Sequence, residues 1–439
     1  MSNEKPKTPT AKGQGAANPA PKANPPAAIP VHPPPLFRKI DWLTFGVTTL
    51  LVMAGYWWTL APNLTLEDSG ELAVASMYAG IPHPPGYPVW TLYTWFWTVI
   101  LPVGNIAWRV AFGGAVASAI GCGLLGLLVS RGSSMMMEGI ADLKSIDRRW
   151  ESAICVVSGF VAGMLLGFNG YMWSQSVIVE VYGFSVMSFI AVLLCLLRWI
   201  YAPHQRRYLY WGFFLFGICF TNHQTLIVAF MGIEIAIAAA DYRMGRNFFL
   251  WNSIGFLAGL ILKGQGVIFQ NTNPMIFVIF NVVGVCSIAA YVWFVLLTQE
   301  SGDELMRDGL LAVGVLLFAG GLFGLGKFVA VLGLAALGTF GWLAWQNRKA
   351  GSEWLVAVIC GLLWVGGAAF YLYMALAGMT NPPMQWGYPR TVEGFIHAFT
   401  RGQYEKANPT DFFGDPLRFV GQLGMLFEGV VEEDRKSVV

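Results

Sequence analysis

The chain contains 439 residues, of which 56% are hydrophobic and 12% are charged, and its mean hydropathy is +0.56. Soluble domains carry about 25% charged residues. No soluble fold can bury so much apolar surface, so the composition indicates an integral membrane protein. The formal net charge of +2 gives no basis for nucleic-acid binding. The six cysteines are scattered without metal-ligand spacing, so we expect neither a metal site nor a disulfide framework.

The N-terminal segment differs from the rest of the chain. Residues 1–35 are rich in Pro, Ala and Lys and show no apolar periodicity. Such a segment cannot bury enough surface to order itself, so we expect a disordered tail. Arg38 and Lys39 precede the first predicted span, at about 40–60. Positive charge before a first span places the N-terminus in the cytoplasm.

The next apolar stretch, 89–101, is too short to cross a bilayer, since a spanning helix needs about 20 residues. It is rich in Trp and Tyr, which prefer the headgroup level. We interpret it as an interfacial helix on the outer side. Ten further spans are predicted at about 109–130, 152–170, 177–200, 208–222, 224–240, 249–268, 275–298, 309–326, 328–345 and 354–377. The chain is therefore predicted to be an all-α polytopic membrane protein with about 11 transmembrane helices.

Cationic residues agree with this topology. The predicted cytoplasmic loops contain Arg131, Lys144, Arg148, Arg149, Arg206, Arg207, Arg243, Arg246, Arg348 and Lys349. One cytoplasmic loop, 299–308, is net acidic, but the rule counts Lys and Arg and largely ignores acids. The result is a transmembrane domain over 36–378 with an external loop at 61–88, followed by an external or interfacial segment over 379–439.

The external loop 61–88 contains the highest concentration of polar residues at the predicted outer face. Asp68 and Glu71 are three residues apart at the start of a helix-compatible run, which puts both carboxylates on one helical face. A capping box, with Asp68 as the N-cap, would explain the same pair without any function. The loop ends in HPPGYP, a rigid turn that presents His83 beside the membrane surface.

Other polar residues are predicted at the same outer face. Glu180 and His223 lie at outer turns between spans and are candidates for function. Alternatively, Glu180 could simply lie in the membrane interface, and His223 could be an interhelical hydrogen-bonding residue. Arg109 begins a span on this side, against the positive-inside trend, and could hold a lipid phosphate or snorkel to the headgroups. In the segment after 378, Arg390 and Arg401 lie among aromatic residues; the segment is either an interface-hugging loop or a cover over a groove, with one of these arginines facing phosphate or acceptor.

Five sequence blocks, in this order, resemble a known family: LAPNLTLEDSGEL, GIPHPPGYP, MWSQSVIVEVYGFS, GICFTNHQTL and NPPMQWGYPRTVEGFIHAFTRGQYE. They are similar to proteins related to protein O-mannosyltransferases, multi-span glycosyltransferases of the GT-C class. The blocks extend from about residue 45 to 415, and the N-terminal tail lies outside them.

The resemblance implies transfer of a sugar from a polyprenyl-phosphate carrier to a hydroxyl acceptor such as a protein Ser or Thr. The expectation that this sugar is mannose is taken from the family name. It implies a carboxylate base in the first external loop, which by position is Asp68, with Glu71 supporting it; the residues themselves leave open which of the two is the base. His83, Arg109, Glu180, His223 and Arg390 are then expected to bind substrate. The expected reaction is direct displacement without metal or cofactor, at the extracytoplasmic face of a bacterial inner membrane or of the endoplasmic reticulum. Expected partners are the lipid-linked donor, the acceptor and membrane lipids.

Two other function classes fit the span count. A transporter or flippase would use polar residues within the membrane, but the sequence shows no inverted repeat, and its polar residues cluster at one face instead of the midplane. A non-catalytic membrane scaffold would fit the Pro-rich tail equally well. The acidic external loop favours the enzyme over both.

Overall fold

The computed structural model describes residues 35–65, 67–269, 274–299, 301–346, 352–402, 410 and 414–436. The predicted tail 1–35 therefore lies outside the described residues, apart from Pro35. Seventeen α-helices occur in these ranges: α1 Lys39–Thr59, α2 Ser69–Tyr78, α3 Pro88–Ile100, α4 Ile106–Gly139, α5 Arg148–Gly167, α6 Gly170–Ser176, α7 Tyr182–Tyr201, α8 Arg207–Asn222, α9 Ala229–Ala240, α10 Tyr242–Gly264, α11 Pro274–Thr298, α12 Gly302–Gly320, α13 Lys327–Gln346, α14 Ser352–Ala368, α15 Leu372–Met379, α16 Val392–Phe399 and α17 Pro416–Lys436.

Helices occupy every predicted span, and the all-α class is confirmed for the described residues. Seven helical segments are long and apolar enough to cross a bilayer: 106–139, 148–167, 182–201, 274–298, 302–325, 327–346 and 354–379. The segments 39–59, 207–222, 224–240 and 242–264 do not reach that length or mean hydropathy. The total of about 11 spans and the interfacial position of the 13-residue helix α3 remain predictions.

Helix α4 is the central helix of the N-terminal half. Its sequence, GGAVASAIGCGLLG, places small residues against α1, α5 and α7. Gly126 and Gly159 mark the closest approach, because a Cβ on Gly159 would lie 2.4 Å from the carbonyl oxygen of Gly126. Small residues permit this packing, in which dispersion and close backbone contact hold membrane helices together.

One polar network joins α1, α4 and α5 at the end that we predict to be cytoplasmic. Arg38 donates to Asp41 at 3.0 Å and to Glu151 at 2.9 Å. Ser130 on α4 donates to the same Asp41 carboxylate at 2.6 Å. Because Asp41 is fully buried, these hydrogen bonds compensate for its lost hydration.

At the opposite end of α4, the external loop folds into a compact unit. An apolar cluster that includes Leu72, Trp90 and Val181 joins α2, α3, α4 and the segment before α7. Ser76 and Thr94 share a buried hydrogen bond of 2.7 Å between α2 and α3. The loop is therefore fixed by both packing and hydrogen bonds.

The segment after α15 pairs with this loop. Ile81 donates to the carbonyl of Met384 at 2.9 Å, and Trp386 donates to the carbonyl of Ile81 at 3.1 Å. The hydroxyl of Tyr373 on α15 donates to the carbonyl of Gly80 at 3.3 Å. Helix α16 is tied to the turn after α8, where Gln224 donates to the carbonyl of Phe399 at 2.9 Å. Residues more than 290 positions apart thus build one surface.

The predicted topology can be tested with cysteine reporters on exposed loops. Asn63→Cys lies beside the acidic loop, and Ser145→Cys lies between α4 and α5. We expect only Asn63→Cys to react with a membrane-impermeant thiol reagent in intact cells, above the labelling of the parent chain, because the predicted topology puts the two positions on opposite sides of the bilayer. The reverse pattern would contradict an extracytoplasmic site.

Candidate functional site

Helix α2 begins at the acidic pair. Asp68 occupies the N-cap position, but its side chain makes no capping hydrogen bond and 57% of it is exposed. Glu71 does not complete a capping box, because it reaches forward to His83 instead of back to Asp68. The capping-box alternative is therefore wrong. The two carboxylates have different environments: Asp68 is open to ligands, while Glu71 is largely buried.

His83 is the centre of the polar constellation. Its Nδ1 lies 3.1 Å from a carboxylate oxygen of Glu71, and its backbone N–H donates to the same oxygen. Its Nε2 lies 3.0 Å from the hydroxyl of Tyr87 and 3.8 Å from the carboxylate of Asp68. The HPPGYP turn holds this geometry, because Gly86 donates to the carbonyl of His83 at 2.9 Å.

The acidic neighbours of His83 control its protonation. Burial by itself lowers the pKa of an imidazole, because it disfavours the charged form. The hydrogen bond with Glu71 and the negative charges of Glu71, Asp68 and Glu180 outweigh this, so the pKa of His83 is raised above its usual value. The imidazolium therefore persists to higher pH than in an ordinary histidine, and when present it balances part of the negative charge of the loop.

Glu180 faces the same constellation from the segment between α6 and α7. It is buried, with 7% of its surface exposed, and its carboxylate accepts from the backbone N–H of Val181 at 3.1 Å. Burial, together with the nearby charges of Glu67 and Asp68, raises the pKa of Glu180 to about 7. The indole of Trp90 fixes the segment by donating to the carbonyl of Glu180 at 3.2 Å. This carboxyl is thus partly neutral near pH 7.

A cavity of about 640 Å³ opens beside the acidic loop. It is lined by Glu67, Asn169, Tyr171, Met172, Gln175 and Tyr182. One wall is polar and offers an unused acceptor, because Oε1 of Gln175 is buried without a hydrogen-bond partner. Cavities of 300–1,000 Å³ with a few directed polar groups are typical of small-molecule sites.

The far side of the site comes from later helices. His223 follows α8, its ring lies 5.9 Å from that of Tyr182, and its Nδ1 is 2.5 Å from the hydroxyl of Thr225. Burial lowers the pKa of His223, and the positive charge of Arg401 lowers it further. Arg401, just after α16, is therefore close to this side of the site. Its backbone φ of 55° is unusual for a non-glycine residue, and such conformations cluster at functional positions.

Two of the predicted site residues make contacts outside this constellation. Arg109 donates to the carbonyls of Thr98 at 2.9 Å and Val103 at 3.1 Å, which stabilises the end of α3. Arg390 is exposed, with its guanidinium 5.7 Å from the ring centre of Tyr388. Their roles in substrate binding remain predictions. The structure brings Asp68, Glu71, His83, Glu180 and His223 to one region, together with Arg401.

The same loop contains the one group of potential metal-ligating atoms found among the described residues. One atom each from Asp68, Glu71 and His83 lies within 4.8 Å of the others. A bound cation would have to compete with the hydrogen bond between Glu71 and His83, and the expected absence of a metal remains a prediction.

Three residues of the site were missed by sequence reasoning. Glu67 has a left-handed backbone φ of 65° and lines the cavity, Tyr87 has a φ of 37° and holds His83, and Tyr182 forms part of the cavity wall. Glu67 lies directly before Asp68, and Tyr87 lies within the HPPGYP turn, so closeness in sequence to these motifs was a usable signal for both residues. No local pattern distinguishes Tyr182 from a residue at the membrane interface.

Comparison with known proteins gives a family match that begins in this loop, and matches to two curated relatives. Residues 68–245 match the family described as "Protein O-mannosyl-transferase TMEM260 N-terminal domain". A 125-residue segment is 30% identical to "Protein O-mannosyl-transferase TMEM260" of Mus musculus and covers 27% of this chain and 18% of that protein. A 224-residue segment is 25% identical to "Protein O-mannosyl-transferase tmem260" of Dictyostelium discoideum and covers 47% of this chain and 24% of that protein.

The matched parts thus span about a quarter or less of these curated relatives. No solved structure matches the chain. The resemblance to the protein O-mannosyltransferase-like family, which the sequence blocks predicted, is confirmed.

The contact between Glu71 and His83 can be tested by measuring the pKa of His83. In Glu71→Gln the carboxylate charge is lost, so we expect the pKa of His83 to fall, because burial then opposes protonation with less compensation. NMR of isotope-labelled histidine, assigned with His83→Gln, measures this pKa. Glu393→Gln, an exposed carboxylate on α16, serves as the control. An unchanged His83 titration in Glu71→Gln would contradict the pairing.

Proposed function

We propose that this protein is a membrane glycosyltransferase that moves a sugar, mannose by analogy with its relatives, from a polyprenyl-phosphate carrier to a hydroxyl of a protein Ser or Thr. The observation that supports it most is the unequal pair on α2, in which Asp68 is exposed while Glu71 is held by His83. The mouse and Dictyostelium relatives are named as protein O-mannosyl-transferases, which supports the class of reaction.

In the proposed reaction Asp68 is the base. A Ser or Thr hydroxyl is a weak nucleophile and needs its proton removed as the new bond forms. The proton passes to the Asp68 carboxylate, the hydroxyl oxygen bonds to the anomeric carbon, and the bond between that carbon and the phosphate oxygen breaks. The electron pair leaves with polyprenyl phosphate. One displacement inverts the anomeric configuration.

Glu71 and His83 are assigned a positioning role. The two contacts from His83 to one oxygen of Glu71 occupy that carboxylate, so it is less available than Asp68 to accept a proton from the substrate. His83 also lies 3.8 Å from the carboxylate of Asp68, close enough to help position this exposed group beside the acceptor hydroxyl. This division of roles selects Asp68 over Glu71 as the base.

A donor that contains phosphate requires a site with limited negative charge. His83 in its charged form balances Glu71, and Glu180 is partly neutral near pH 7 because its pKa is raised to about 7. Arg401, whose charge acts on His223, is the cation that we assign to the leaving phosphate. The cavity beside Asp68, with the free acceptor of Gln175, offers room for the sugar. No metal is needed in this scheme, and the site is assigned to the extracytoplasmic face.

The assignment of the base is tested by comparing two substitutions on α2. Purified protein in lipid receives polyprenyl-phosphate mannose and a Ser/Thr peptide, and release of polyprenyl phosphate is measured. We expect Asp68→Asn to lower turnover by about 100- to 10,000-fold, since that is the usual contribution of general-base catalysis. Glu71→Gln should retain more activity and show an altered pH profile. Glu393→Gln controls for loss of an unrelated carboxylate. A larger loss of turnover in Glu71→Gln than in Asp68→Asn would contradict this assignment and indicate Glu71 as the base.

The assignment of the cation is tested by donor binding. Arg401→Ala should weaken binding of polyprenyl-phosphate mannose by about 10- to 100-fold, the size expected for a lost charge-assisted hydrogen bond. Arg401→Lys should keep part of the affinity. Arg390→Ala, in the same predicted external segment, tests the alternative from the sequence, in which Arg390 is the arginine that binds the phosphate. Equal losses in Arg401→Ala and Arg390→Ala would contradict a specific role for Arg401.

A further inference from the structure

A second polar group lies inside the helical bundle, away from the outer loop. Glu234 is on α9, in the apolar run AFMGIEIAIAAA, and only 3% of it is exposed. One carboxyl oxygen, Oε2, accepts from the side-chain amide of Asn252 on α10 at 2.7 Å. The other oxygen, Oε1, is buried and has no hydrogen-bond partner. Ionisable residues within apolar helices are costly, and their usual explanation is function.

Two chambers meet at this carboxyl–amide pair. The first, of about 440 Å³, lies among α8, α9, α10 and α14; the second, of about 460 Å³, lies among α9, α10 and α11. Phe230, Glu234, Trp251 and Asn252 line both chambers, whose other walls are mainly apolar and aromatic. Among the described residues, none that lines either chamber belongs to the outer site.

The buried polar atoms without partners around the chambers indicate which hydrogen-bonding groups a bound ligand needs. Oε1 of Glu234 lacks a partner, and the indole N–H groups of Trp251 and Trp364 are buried without acceptors. Glu234 and Trp251 line both chambers, and Trp364 lines the first. A buried polar atom without a partner destabilises the protein unless a ligand or water satisfies it. The chambers therefore combine apolar walls with both a free hydrogen-bond acceptor and free donors.

We propose that these chambers bind a neutral, apolar alcohol from the bilayer, with its hydroxyl at the Glu234–Asn252 pair and its hydrocarbon part in the chambers. A hydroxyl both donates and accepts, so it can satisfy Glu234 and an indole N–H together. A hydrocarbon would leave these atoms unpaired. An amine would bring a second charge into an apolar region, where desolvation opposes it. This lipid site is distinct from the outer site and does not rest on the proposed glycosyl transfer.

The test uses the full chain in lipid nanodiscs with a diazirine-bearing dodecanol. We expect light-dependent labelling of peptides from α9 and α10, competed by dodecanol but not by dodecane, and more weakly by dodecylamine. Glu234→Gln should keep most of the labelling, because an amide also donates and accepts. Glu234→Leu should reduce it by about tenfold, in line with the loss of a hydrogen bond to a buried group. Glu428→Leu, an exposed carboxylate on α17, is the matched control.

Trp251→Phe gives an independent variant, since it removes the indole N–H and keeps an aromatic wall. It should reduce labelling with little change in the thermal stability of the protein. Equal competition by dodecane and dodecanol would overturn the proposal, because apolar filling alone would then explain binding. Loss of labelling in Glu234→Gln, with dodecylamine as the better competitor, would overturn it in favour of a charged amine. Labelling that is unchanged in Glu234→Leu and in Trp251→Phe would also overturn it.

Discussion

The hydrogen-bonded pair of Glu71 and His83 is the interaction on which the outer site depends. It joins the first turn of α2 to the HPPGYP turn, and the same histidine reaches Tyr87 at the start of α3. This one contact fixes the loop and gives the two carboxylates of α2 different environments. Glu71 is occupied and largely buried, whereas Asp68 remains exposed. This one hydrogen-bonded pair therefore distinguishes an occupied carboxylate from an exposed one, which is the candidate base.

The loop acquires its other walls from distant parts of the chain. Ile81 pairs with the segment at Met384–Trp386, and Gln224 holds the end of α16. These contacts bring Arg401 towards His223, although Arg401 is far from the acidic loop in sequence. The negative charge of the first loop and the positive charge that can offset it thus come from distant parts of the sequence. In the proposed reaction, such an arrangement suits a hydroxyl acceptor and a separate donor whose leaving group is a phosphate.

Much of this organisation could be predicted from local sequence. Apolar runs give the helices, and the turn chemistry of HPPGYP predicts where His83 is presented. The different environments of Asp68 and Glu71, on which the proposed choice of base rests, could not be predicted from the residues, because they depend on which carboxylate His83 contacts. Arg109 and Arg401 show the same limit, since the contacts of an arginine follow from tertiary packing. Glu234 was missed although a single acid in the apolar run AFMGIEIAIAAA was a usable signal, and the structure adds that one of its oxygens is buried without a partner.

The most direct test of the account is the stereochemistry of a single turnover. Polyprenyl-phosphate mannose of known anomeric configuration is mixed with excess protein in lipid and a Ser/Thr peptide, and the glycopeptide is analysed by NMR. The account predicts sugar on the peptide hydroxyl with inverted configuration, formed together with one equivalent of polyprenyl phosphate. Retained configuration would require a covalent intermediate and would contradict a single displacement assisted by Asp68.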